Sequence, residues 1–284
     1  MKSNAVPIKA LTIYNNALSL SYNGEINRAV HEYKKAIDAY PLFLEAYNNI
    51  GEIYSRTGMS DQAKLSFQKA LEIDKNHKIL LNLGIEYYNT QDYKNALNYF
   101  FESITIKPKF IDGNLYSGLA YFNLKDFRSA EKFFKKVLCL EQKHLKANYL
   151  LSIINYDKKD YITTLNYLNN IKNITSDKPF LNKFYGFCFY HLGRYNEAVE
   201  YLTIAIETNP KYIIFKDYLK KLTYANKLKE IGDVDGQILE MEEKMMKNSS
   251  TIKDYTHLSM LYVFKGEYKK AEDLLLSKKN HTIY

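Results

Sequence analysis

A chain of 284 residues, 46% hydrophobic and 25% charged, has the composition of a folding protein and not of a disordered tail. Its 27 tyrosines and 15 phenylalanines stand beside only five prolines and eleven glycines. So few turn residues exclude a protein of many β-hairpins and point to long helices. The net charge of +8 arises mainly in the middle: residues 103–184 carry 14 basic and 7 acidic side chains, and residues 1–102 carry 11 of each. Lysine is abundant together with asparagine, isoleucine and tyrosine, as in AT-rich coding, so the charge alone is weak ground for a nucleic-acid partner.

The first residues, MKSNAVPIKALTIYNN, contain no apolar run of signal-peptide length. No window holds 18 consecutive apolar residues, so no spanning helix or membrane insertion is expected, and the cytoplasm is the expected location. From residue 10 the chain repeats itself. An alanine position recurs as Ala29, Ala63, Ala96, Ala130, then Thr164, then Ala198, with gaps of 34, 33, 34, 34 and 34. Nine of the eleven glycines fall on two positions of this period. One holds Gly51, Gly84, Gly118 and Gly186; the other holds Gly24, Gly58, Gly193, Gly232 and Gly266.

The units run 10–43, 44–76, 77–110, 111–144, 145–178 and 179–212. In 44–76, Tyr47, Ile50, Gly51 and Tyr54 fall on one stripe of a first helix, and Ala63, Phe67, Ala70 and Leu71 on one stripe of a second. Gly51 and Ala63 are small where two helices must approach closely. Gly58 ends the first helix where the chain reverses, and Pro41 and Pro108 stop second helices. Unit 145–178 keeps Leu151 but has Ser152 and Thr164 in place of glycine and alanine. After Pro210 the period slips: the position equivalent to Ala198 comes 39 residues later, at Gln237. The slip predicts one long helix over 211–231. Two further units, near 218–251 and 252–284, keep Gly232, Tyr262, Gly266 and Ala271. This divides the chain into a main array, 1–212, and a C-terminal part, 213–284. The sequence ends soon after Leu274, Leu275 and Leu276, so an uncovered apolar edge for self-association is expected there.

This pattern resembles the tetratricopeptide repeat family, in which aromatic–x–x–Leu–Gly–x–x–Tyr marks the first helix and Ala, Phe, Ala and Pro the second. The resemblance covers nearly the whole chain. It implies an all-α, right-handed solenoid of about eight helix–turn–helix units that binds proteins. The physics agrees, because a single helix pair cannot bury both faces and must stack on its neighbours.

Catalytic constellations are missing. There is no Gly-rich phosphate loop, HExxH, CxxC or Gly-x-Ser-x-Gly. The six histidines lack ligand spacing, and Glu242 and Glu243 read as a solvated helix face. Cys139 and Cys188 read as buried small hydrophobes. The expectation is a non-catalytic scaffold with no metal or cofactor.

In solenoids of this family the first helices line the concave face, here through the second, fifth, sixth, ninth, twelfth and thirteenth positions of each unit. The sixth position reads Asn15, Asn49, Asn82, then Tyr116, Leu150 and Phe184; the thirteenth includes Asn89 and Asn123. This file resembles the asparagine ladder of peptide-holding tetratricopeptide grooves, where side-chain amides match the donors and acceptor of a peptide backbone. A chaperone-type carboxylate clamp is not expected, since only Asn49 and Lys78 match it. Further along, Phe122, Tyr149, Tyr156, Phe187 and Tyr190 join Lys146 and Lys183 on the inward positions. Such a mix can anchor peptide side chains or stack the bases of single-stranded RNA. The basic cluster Arg128, Lys132, Lys135 and Lys136 belongs to a second helix and is expected outside. The favoured partner is therefore a protein or peptide. The alternative is RNA held by the basic exterior near 125–146 together with the aromatics.

Overall fold

A computed structural model of the chain describes residues 5–209, 211, 219–220, 222–223, 233–247 and 251–281, with the side chains of 252 and 275–281 outside that set. The described residues form fifteen helices and no strand. The first twelve are α1 (Ile8–Tyr22), α2 (Ile26–Ala39), α3 (Leu44–Arg56), α4 (Ser60–Ile73), α5 (His77–Asn89), α6 (Tyr93–Ile106), α7 (Ile111–Asn123), α8 (Phe127–Leu140), α9 (Leu145–Asp157), α10 (Tyr161–Ile171), α11 (Lys178–His191) and α12 (Tyr195–Thr208). The last three are α13 (Val234–Met246), α14 (Ile252–Lys265) and α15 (Tyr268–His281). The all-α repeat expected from the sequence is thus present, and even the degenerate unit 145–178 contributes two helices. The chain divides into two compact units, residues 1–154 and 155–284. The long helix expected over 211–231 and the junction expected after residue 212 lie outside the described residues for most of their length. The side chains of Leu275 and Leu276 lie outside them too.

In the first unit each odd-numbered helix packs on the even-numbered one that follows, and each pair packs on the next. One feature of the sequence explains the pairing. A Cβ built on Gly51 would lie 2.5 Å from the Phe67 ring, on Gly84 the same distance from Phe100, and on Gly118 the same distance from Phe134. Each glycine is the socket for a ring sixteen residues later. Phe100 and Phe134 are fully buried there and Phe67 nearly so. The small residue therefore admits a ring, which is more specific than a general close approach of helix axes. Ala29, Ala63, Ala96 and Ala130 are fully buried at the recurrent alanine position.

The turns follow one geometry as well. Gly24 and Gly58 have φ of 79° and 77°, and the next residue's amide reaches back five residues, as in Met59 N–H to the Tyr54 carbonyl at 2.8 Å. This is a Schellman ending. Gln91, Lys125 and Lys159 take the same left-handed conformation, at φ 62°, 61° and 62°, without being glycine. Asp92, Asp126 and Asp160 follow them and cap the next helix, accepting from the amides of Asn95, Ser129 and Thr163. Hydrogen bonding in these caps holds the Asp92, Asp126 and Asp160 carboxyls below the usual range.

The second unit repeats the scheme with other residues. Gly186 is the socket for Leu202, whose Cγ would lie 2.5 Å from an added Cβ. In the pair α14–α15, Leu258, Leu261, Tyr262 and Ala271 form a small core with Ile238 of α13. Burial raises the Cys188 thiol to about 12, whereas Cys139 is exposed, contrary to the expectation that both are buried. Cys139 lies on the outer side of α8, where Val137 and Phe134 already fill the core.

Candidate functional site

In the first unit the first helices of successive pairs present one shared face. A cleft of about 380 Å³ opens along it, lined from α1 by Tyr14, from α3 by Glu45, Asn48, Asn49 and Glu52, and from α5 by Lys78, Leu81 and Asn82, with Phe110 and Asp112 closing the end. Nearly all of these occupy the second, fifth, sixth and ninth positions of their units. Helical spacing places those positions on one stripe, and the stacking of pairs aligns the stripes.

The asparagines in this stripe differ in what they hold. The Asn49 amide donates to the hydroxyls of Tyr14, at 3.0 Å, and Tyr33, at 3.2 Å. Burial raises the pKa of both tyrosines, and the Asn49 hydrogen bond opposes the rise. Asn82 donates to the Asn48 side-chain oxygen and to Glu52 at 3.3 and 3.4 Å, while Asn48 donates to Glu52 at 2.8 Å. The two long bonds of Asn82 are near the limit of useful geometry and are readily exchanged. The cleft thus brings Asn49 and Asn82 together and adds Asn48. Asn15 and Asn89 are exposed on α1 and α5 and are not among the residues lining it. Asn123, on α7, donates to the Tyr88 hydroxyl at 2.7 Å and the Leu119 carbonyl at 2.9 Å.

Other polar residues that the spacing did not single out carry structure. Asn114 and Asn148, both buried, tie down the loops before α7 and α9 through the carbonyls of Pro108 and Phe110, and of Gln142 and His144. Glu86 is buried and accepts from the Ser55 and Ser60 hydroxyls, where the equivalent positions hold Ile53, Ala120 and Cys188. Its signal was a charged residue on an otherwise apolar stripe.

The aromatic candidates are distributed between the units. Lys146 is exposed and Tyr149 half-buried at the start of α9. On α11 the Lys183 ammonium lies 4.8 Å from the Phe184 ring centre and 5.5 Å from that of Phe180. Desolvation lowers its pKa against the pull of Asp177. Phe187 and Tyr190 are half-buried on the same helix, with Tyr190 ringed by His191 and Tyr195. Tyr156 packs edge-on against Phe184, and His191 stacks on Tyr161 at 4.4 Å. Tyr116 packs against Tyr88 and Phe100, and Phe122 against Phe127. Arg128, Lys132, Lys135 and Lys136 are exposed on α8. Lys135 pairs with Glu131, and Lys136 lies over Phe133. Among the described residues no group of His, Cys, Asp and Glu could hold a metal ion, and no helix is long and apolar enough to cross a membrane.

Stacked helix pairs that present an open polar cleft define a helical-repeat scaffold for protein–protein interaction. Family models described as tetratricopeptide repeat match residues 44–77, 77–110, 117–144 and 185–212. These matched units are tetratricopeptide repeats. Anaphase-promoting complex subunit 3 of Schizosaccharomyces pombe is 32% identical over 90 residues, 31% of this chain and 14% of that protein. The match therefore spans a small part of that relative's length. Pseudomonas aeruginosa PilF has the same fold, with a TM-score of 0.64 at 18% identity over 74% of this chain and 97% of that one. YrrB, a tetratricopeptide repeat protein with an unusual peptide-binding site, superposes with a TM-score of 0.51 at 25% identity, over 59% of this chain and 87% of its own.

Proposed function

We propose that this protein is a non-catalytic adaptor that holds an extended segment of a partner protein in the cleft formed by α1, α3, α5 and α7. The observation that carries the reading is the pair Asn48–Asn82, whose amides line the cleft and meet through long hydrogen bonds. An amide presents two donors and an acceptor, so such a pair can trade its internal bonds for those of a peptide backbone without selecting a side chain. The peptide-binding site of YrrB supports the same class of ligand. An RNA reading is less well supported at this cleft. Three carboxylates, Glu45, Glu52 and Asp112, face one ammonium, Lys78, and would repel a phosphate backbone.

The test is selection of binders from a random dodecapeptide library on the full chain, followed by affinity measurement on Asn48→Ala/Asn82→Ala. Two backbone hydrogen bonds, each worth about 0.5–1.5 kcal/mol, correspond to a loss of roughly 5- to 150-fold in affinity. Peptides that bind the double variant as tightly as the parent chain would move the site elsewhere.

A further inference from the structure

The charge of the cleft constrains its occupant. In the first unit several acidic groups around the second helices are matched to cations. Glu25 pairs with Arg28, Glu32 with Lys35 at 2.7 Å, Glu72 with Lys69 at 2.8 Å, and Glu102 with Lys75 at 3.3 Å. Among the described residues no lysine, arginine or histidine forms an ion pair with Glu45, Glu52 or Asp112, all three of which are exposed. Lys78 lines the same cleft but lies beyond ion-pair distance of them, so three carboxylates and one ammonium leave a net charge of −2. Carboxylates along a low-lying cleft focus the field more than the same groups on an open helix face. Glu45 and Glu52 also act on the hydroxyl of Tyr14: burial raises its pKa first, and both carboxylates add to the rise.

We infer that the cleft selects an extended segment bearing lysine or arginine side chains, whose cations meet Glu45, Glu52 and Asp112 while its backbone meets Asn48 and Asn82. The inference rests on the peptide reading above and adds the partner's charge. Glu45 and Asp112 come from the second positions of units separated by one full repeat, and Glu52 sits two turns along α3 from Glu45. An extended backbone running across α3, α5 and α7 therefore passes a carboxylate near both ends of the cleft. Lys78 lies between them, so the preferred pattern is cationic at the ends with a neutral or acidic side chain in the middle.

The experiment compares the full chain with Glu45→Gln/Glu52→Gln/Asp112→Asn. Glutamine at 52 keeps an oxygen for Asn48 and Asn82, and all three positions are exposed, so the unfolding midpoint of the variant serves as the fold control. The expected result is that dodecapeptides selected by the parent chain are enriched in lysine and arginine, weaken as salt is added, and lose affinity on the order of tenfold on the neutralised variant. Peptides that lose affinity on Asn48→Ala/Asn82→Ala, yet show no basic enrichment and bind the neutralised variant unchanged, overturn the charge inference and leave the peptide reading standing. Selection of acidic peptides overturns it as well. A library that yields no binder, or binders indifferent to both variants, removes the peptide reading and this inference together.

Discussion

Residues 1–154 and 155–284 use one helical plan with two vocabularies. In the first unit the eighth position of three successive repeats is glycine and the ring sixteen residues on is phenylalanine: Gly51 and Phe67, Gly84 and Phe100, Gly118 and Phe134. In the second unit the socket at Gly186 takes Leu202, and the corresponding position of the last repeat is the buried Ser259. The inward stripe changes more. Its sixth position runs Asn15, Asn49, Asn82, Tyr116 and Leu150 through the first unit and is Phe184 in the second, where rings and the Lys183 cation stand in place of the amides and carboxylates of α3 and α5. Buried positions mostly exchange one small or apolar residue for another, with polar exceptions such as Glu86, Thr164 and Ser259, while inward positions change chemical class more freely. Packing between helices constrains volume, and the face they present is free to differ, so the two units can serve different ligands.

The sharpest way to break that comparison is to attack the sockets. Phe100 is fully buried, so Phe100→Ala is expected to cost about 3–5 kcal/mol in equilibrium unfolding, through lost burial and the cavity left behind. Gly84→Ala places a methyl within the ring's volume and is expected to cost about 1–3 kcal/mol, with Gly186→Ala in the second unit, which faces the flexible Leu202, costing less. In a Phe100→Leu background the penalty at Gly84 should shrink, because a flexible side chain can retreat where a ring cannot. Equal penalties at Gly84 in both backgrounds would show that the ring is not what the glycine admits.

Most of the fold was legible because it rests on recurrence. The alanine gaps and two glycine positions located every described helix pair, and the second, fifth, sixth and ninth positions located the lining of the cleft. The amide spacing that suggested Asn15, Asn49 and Asn82 as equals did not show that Asn49 is engaged by Tyr14 and Tyr33. Those partners lie 35 and 16 residues away and on other helices, so no local pattern reveals them. The carboxylates Glu45, Glu52 and Asp112 were on the right stripe but were overshadowed by the more frequent asparagines. The buried Glu86 and the left-handed turns at Gln91, Lys125 and Lys159 were hidden for the opposite reason. Their residue types argue against the positions they occupy, and only the neighbours that stack on them enforce the conformation.

Those turns give a milder test that runs across both units. Gly24, Gly58, Gly193 and Gly266 adopt the left-handed conformation without strain, whereas Lys125 in the first unit and Lys159 in the second adopt it with a Cβ. An L-residue there costs about 1–2 kcal/mol, and glycine gives back about 0.5–1 kcal/mol through its freer unfolded chain. Lys125→Gly and Lys159→Gly should therefore each stabilise by about 0.5–1 kcal/mol, measured as a raised denaturation midpoint with an unchanged slope. Stabilisation at one site and not the other would show that the two units do not share a turn geometry.

The smallest expected effect belongs to the second unit and separates it from the first by pH. Asp254, at the start of α14, accepts from the Lys244 ammonium at 2.8 Å and from the Thr251 amide and hydroxyl at 2.6 and 2.7 Å. The Lys244 hydrogen bond, then those from Thr251, hold its carboxyl down to about 2. A carboxylate whose pKa is lower folded than unfolded stabilises the fold fully above the unfolded value of about 3.9. That contribution is lost as the pH falls through about 4 toward about 2, because the unfolded chain takes up the proton first. Lys244 is partly open to solvent, so salt screens the pair and the gain stays small. Asp254→Asn should lower protection of the α13–α15 amides in hydrogen exchange at neutral pH. The difference from the parent chain should vanish as the pH approaches 2, with the amides of α3–α8 unaffected throughout. A difference that persisted undiminished at that pH would mean that shape at position 254, and not its charge, holds α13 against α14.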